Sequence, residues 1–151
     1  MMKSITTKQV ELMCSFAEIT YDNFVLMPEV QDLELSDKVY EAYPGLLFVL
    51  TNTDEERPYD IANVDYSVED ISGYWDRIIM NPKPANEQEY IIKAYKIMQP
   101  GGILVSTISN GSLKHIDMYS KEFQKFLKER NANIVKIDGV NIVKLLKNGE
   151  K

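Results

Sequence analysis

Residues able to hold a ligand by hydrogen bonding stand where the apolar runs of this chain stop. Met27 gives way to Pro28, Leu50 to Thr51-Asn52, a weak run at 64–68 contains Asp65-Tyr66, and Arg77–Met80 ends in Asn81-Pro82. Carboxamide, carboxylate and phenol groups bind and orient; none of these is an activated nucleophile. The sole histidine, His115, lies in a polar stretch, and no metal-ligand cluster or Cys/His dyad can be assembled around it. The single cysteine, Cys14, recurs with Val10, Met13 and Ala17 at helical spacing and reads as a core residue. Gly101-Gly102 is followed by a strand rather than a helix, so it reads as a helix-ending turn, not a phosphate loop.

Those residues need a scaffold that gathers them. Thr6-Thr7 caps a helix expected over 8–19, and 23–27 is a short apolar strand stopped by Pro28. Residues 33–43 are amphipathic, with Leu35, Val39 and Ala42 on one face, and Leu46–Leu50 suits a strand buried on both faces. Residues 53–61 are polar, with Pro58 limiting any helix to a turn or two, and 64–68 is a weak strand. The strand ending at Met80, with Tyr74 and Trp75 packed beneath it, leads to a helix over 87–98 and a buried strand at Ile103–Ile108. A helix over 120–130 turns Phe123, Phe126 and Leu127 inward, and strands at 134–137 and 142–146 flank Asp138-Gly139, a hairpin dipeptide. This alternation predicts a three-layer α/β sandwich whose mostly parallel seven-stranded sheet ends in an antiparallel hairpin. Ligands of such sheets bind at the carboxyl ends of the strands, which puts Pro28, Asn52, Asp65, Tyr66, Asn81 and Pro82 on one rim.

The 151 residues suit a single domain, 1–151, large enough for a real core. One cysteine excludes an internal disulfide and fits a reducing compartment. No leader or membrane-spanning run is evident, so a cytoplasmic location with no membrane partner is expected. The net charge of −6 is unevenly spread: residues 1–75 hold 15 acids and 4 bases, residues 76–151 hold 8 acids and 13 bases. Gripping DNA phosphates takes a basic surface, which only the second half could supply, through Lys83, Lys93, Lys96 and Lys114. These lysines equally suit solvated helix faces. The acidic half suits a basic partner or plain solubility.

The segments 7–13, Asp76-Arg77-Ile78-Ile79-Met80-Asn81-Pro82, and Lys93-Ala94-Tyr95 through Gly102 together resemble the N6-adenine DNA methyltransferases. The resemblance is to the type found in bacteria and their phages, spans nearly the whole chain in order and is strongest in the second half. It implies the class I, Rossmann-like methyltransferase fold with S-adenosylmethionine as cofactor. It also implies that Asn81 and Pro82 accept hydrogen bonds from a target amine, and that Pro28, Asn52, Asp65 and Tyr66 lie on the cofactor side. Lys83 and Lys114 would meet nucleic acid. The chain departs from the family's Asn/Asp-Pro-Pro-aromatic loop at Lys83 and Pro84, losing the ring that stacks on a flipped base. It departs again after the first strand: the family has a glycine-rich loop, and this chain has no glycine before Gly45.

Three readings follow. The first is a degenerate, non-catalytic methyltransferase-like protein of phage or mobile-element type that needs no cofactor. It would bind a protein partner or itself, or inhibit a nucleic-acid-handling host complex. The alternative is an active S-adenosylmethionine-dependent N6-adenine DNA methyltransferase with a variant loop. A plain nucleic-acid-binding module is a third reading.

Overall fold

The computed structural model describes residues 5–20, 22–28, 33–51, 55–62, 75–114 and 118–147. Its seven strands are β1 (Phe24–Met27), β2 (Leu46–Leu50), β3 (Asp60–Ala62), β4 (Arg77–Met80), β5 (Ile103–Ile108), β6 (Asn133–Ile137) and β7 (Val140–Leu146). The helices are α1 (Thr7–Ala17), α2 (Glu34–Ala42), α3 (Glu87–Ile97) and α4 (Met118–Glu129). One sheet runs β3-β2-β1-β4-β5-β7-β6, parallel as far as β5 and antiparallel at β7 and β6. This is the expected architecture.

Both faces of the sheet are covered because its central strands turn apolar side chains to both sides, interrupted by Arg77 in β4 and Ser106-Thr107 in β5. Val25, Met27, Val49, Ile79, Val105 and Ile142 pack with α1 and α2 on one face. Leu26, Ile78, Met80, Leu104, Val143 and Leu145 pack with α3 and α4 on the other. Cys14 lies in the first of these cores, where burial pushes its thiol up to about 11 and keeps it an inert hydrophobe. On α2, Leu35 and Val39 are buried as expected, while Ala42 is exposed.

α1 opens with a reciprocal cap: Gln9 N–H donates to Thr6 Oγ1 at 3.1 Å, and Thr6 N–H donates to Gln9 Oε1 at 2.9 Å. The buried Gln9 also donates from Nε2 to the Ile137 carbonyl at 3.0 Å, tying the start of the chain to the β6–β7 hairpin. The hairpin turn is Asp138-Gly139, both at positive φ, the geometry that a two-residue turn with the sheet's twist requires.

β3 occupies Asp60–Ala62, pairing with Phe48–Leu50 and overlapping the end of the segment 53–61 that reads as polar. The weak strand expected at 64–68 lies outside the described residues. Trp75 stacks on Phe48, with ring centroids 5.5 Å apart and 11° between planes, beside the core that holds β4; Tyr74 lies outside the described residues.

Candidate functional site

Strand order reverses between β1 and β4: from β1 the chain builds outward through β2 and β3, and from β4 through β5. Open parallel sheets bind ligands at such a reversal, beyond the carboxyl ends of the two strands. The β1–β4 register pairs Leu26 with Ile78. Pro28 and Asn81 therefore leave neighbouring strands at nearly the same height.

On the β4 side lies a cleft of about 210 Å³. Asn81, Pro82 and Pro84 form one wall, the end of β5 and the loop after it (Thr107 to Asn110) another, and Gly139 to Asn141 of the hairpin a third. Asn81 Oδ1 accepts a hydrogen bond from the Thr107 hydroxyl at 2.7 Å, which fixes the carboxamide against β5. Asn141 Nδ2 donates to Asn110 Oδ1 at 2.7 Å, joining the hairpin to the loop after β5.

Beneath the cleft sits a buried carboxylate. Glu87, at the first turn of α3 and only 2% exposed, accepts from the Ser109 backbone N–H at 2.9 Å and the Ser109 hydroxyl at 2.6 Å. It also accepts from the Ser112 hydroxyl. A carboxylate at a helix N-terminus is favoured by the helix dipole, and its desolvation is offset by these donors. Glu87 thereby fixes the loop Ser109–Ser112, and with it one wall of the cleft.

On the β1–β2 side the described residues are few. Pro28 and Leu33, which bracket 29–32, are buried, and so is Thr51 at the end of β2. The first turn of α2 is held by the segment before β3. Arg57 Nε donates to Asp37 Oδ1 at 2.9 Å, the Tyr59 hydroxyl donates to the same oxygen at 2.6 Å, and Ser36 Oγ lies 2.9 Å from that hydroxyl. The short polar stretch thus acts as a strap. Burial, and then the bond to Asp37, push the Tyr59 phenol up to about 12 from an ordinary 10. The folded state then holds the proton more tightly than the unfolded state does. This contribution to stability is complete below pH 10 and is lost as pH rises from 10 through 12. Thermal melts between pH 9 and 12 should show a shallower alkaline loss in Tyr59→Phe than in the parent; equal slopes would refute the assignment.

Of the residues singled out by sequence, the structure brings Asn81 and Pro82 into the cleft and buries Pro28 beside the reversal point. Asn52, Asp65, Tyr66 and His115 lie outside the described residues. Lys83 and Lys114 are exposed, and neither lines the cleft. The Glu87 carboxylate, its serine donors and the Asn110–Asn141 pair were not singled out by sequence. The only hint was a glutamate at a helix start and a Ser-Asn-Gly-Ser run after an apolar strand. Among the described residues no cluster of His, Cys, Asp or Glu could hold a metal ion, and no helix is long and apolar enough to cross a membrane.

The sequence matches no protein-family model and no curated protein. Solved structures match the whole fold. An RNA methyltransferase from Salinibacter ruber, in complex with S-adenosyl-L-homocysteine, superposes with TM-score 0.68 at 12% identity over 99% of this chain and 96% of its own. A SAM-dependent O-methyltransferase from Thermotoga maritima gives 0.70 at 11% identity over 100% and 69%. The O-methyltransferase TomG from Streptomyces achromogenes, in complex with SAM, gives 0.67 at 13% over 96% and 82%. At such low identities the likeness speaks for architecture alone: this chain has the Rossmann-like fold of the class I methyltransferases.

Proposed function

We propose that this protein is an N6-adenine DNA methyltransferase-like domain that no longer transfers methyl groups and works by binding a protein partner. The observation that carries this reading is the composition of the chain where it leaves β1 at the strand-order reversal. Pro28-Glu29-Val30-Gln31-Asp32 contains no glycine and two carboxylates. Closing a backbone around the methionine part of S-adenosylmethionine calls for positive φ and close approach, which glycine allows and β-branched Val30 resists. The same stretch of sequence carries the acids Glu29 and Asp32, and the cofactor's methionine part carries a carboxylate of its own. On this reading that composition disfavours the cofactor.

The acceptor side weakens in parallel. Pro84 replaces the aromatic of the family loop, and base stacking on such a ring is typically worth ~1–3 kcal/mol. An active enzyme with a variant loop is favoured by one feature, the cleft that still surrounds Asn81 and Pro82. Calorimetric titration with S-adenosylmethionine separates the two. No heat is expected at millimolar ligand; micromolar binding, or methyl transfer to adenine in duplex DNA, would restore the enzyme.

A further inference from the structure

The sheet ends at β6, and among the described residues no strand pairs with its outer side. An unpaired edge carries backbone donors and acceptors ready to add a strand. The edge keeps one charged guard, the exposed Lys136, yet its neighbour on the same face, Ile134, is apolar and 39% exposed. Beside it runs a groove of about 570 Å³ between β6 and α4, floored by Leu113, Leu127, Ala132 and Ile134. Its rim is Lys121, Lys125 and Lys128, all exposed.

The three lysines stand at i, i+4 and i+7, so they form one stripe along α4, and like charges at that spacing repel. None takes part in an ion pair among the described residues. The stripe is about 10 Å long at 1.5 Å per residue, beside a five-residue strand of about 16 Å at 3.3 Å per residue. The groove therefore offers three things together: a backbone ladder, an apolar floor and a positive rim that runs along part of the strand.

We infer that β6 and α4 form a docking site for an extended acidic segment of a partner protein. The segment adds to the sheet as a strand, sets an apolar side chain on Ile134 and Leu127, and turns carboxylates toward Lys121, Lys125 and Lys128. Strand addition takes affinity from main-chain bonds and specificity from alternate side chains. A nucleic-acid backbone would satisfy the lysines but leave the strand edge and Ile134 unused. The inference goes beyond lost catalysis and holds whether or not the fold transfers methyl groups, so cofactor titration does not bear on it.

The probe is a fluorescent octapeptide with glutamate and valine taking turns at its odd residues and threonine at its even ones, so that as a strand it can turn both carboxylates and apolar side chains to the α4 face, measured by anisotropy on the full chain. Two further copies are N-methylated at odd or at even residues, and a single-stranded oligothymidine is the competitor. The expected result is binding weakened at least tenfold in Lys121→Glu/Lys125→Glu/Lys128→Glu and in Ile134→Asp, with thermal melts confirming that both fold. One N-methylated copy should bind and the other should not. The inference is overturned by no peptide binding, by equal binding to the variants, or by equal loss with both N-methylated copies. Oligothymidine displacing the peptide, or concentration-dependent dimerisation lost in the same variants, would overturn it too.

Discussion

Glu87→Ala should lower stability by about 3 kcal/mol, because it strands three donors at once, two on the part-buried Ser109 and one on the buried Ser112. The Ser109 backbone N–H and the hydroxyls of Ser109 and Ser112 all end on this carboxylate. The helix start loses its negative charge as well. For a chain of this length that corresponds to a fall in melting temperature of roughly 10 °C. Glu87→Gln should fall between the two, since a carboxamide keeps one acceptor but aims an N–H₂ at the remaining donors. Ser112→Ala should cost only about 1 kcal/mol, one bond of the set. Urea unfolding of the three variants checks the order, and amide exchange at Ser109 should quicken in Glu87→Ala. A loss in Glu87→Ala no larger than in Ser112→Ala would show that the network does not hold the loop.

The second large effect is expected where α3 hands over to β5. A Cβ on Gly102 would sit 2.9 Å from the Gln99 carbonyl oxygen, 3.2 Å from that of Asp76 and 3.2 Å from Met98 Sδ. Two of these three neighbours are backbone, and they are pinned. Gly102 N–H donates to Gln99, Ile103 N–H donates to Asp76, and Lys147 N–H donates to the Gly102 carbonyl. Gly102→Ala should therefore cost about 3 kcal/mol, the upper range for overpacking. Gly101 makes a useful contrast. It has φ +87° but open space around its absent Cβ, so Gly101→Ala should carry only the backbone strain, about 1 kcal/mol. Denaturant midpoints for the pair separate crowding from conformation; equal losses would contradict this reading.

The legible parts of this chain are those where one physical signal dominates. Continuous apolar runs such as Leu46–Leu50 and Ile103–Ile108 mark strands covered on both faces, and they fall where expected. Asp138-Gly139 marks the hairpin because both residues tolerate positive φ. β3 was missed because it is three residues long, begins at the exposed Asp60 and owes its pairing to β2 rather than to any pattern of its own. The strap through Arg57 and Tyr59 was missed for a related reason: a polar stretch shows no periodicity, and its partner Asp37 lies about twenty residues away in α2. At the site, sequence found the loop residues Asn81 and Pro82 but not the wall that faces them. Asn110 and Asn141 meet only because the hairpin folds back onto β5, a contact between residues thirty-one apart.

The position of β7 has a consequence for how this chain is made. β7 lies between β5 and β6 and pairs with β5 along its whole length, from Ile103 opposite Leu146 to Ile108 opposite Asn141. During synthesis β5, buried at every residue in the finished sheet, keeps a bare apolar edge until residues 140–146 have emerged from the ribosome. The Gln9 bond to Ile137 is delayed in the same way. Nascent chains with such an edge are prone to stick to one another, and pairings between distant segments form slowly. Cellular yield of this protein should therefore respond to chaperone supply and to the pace of translation through its last third.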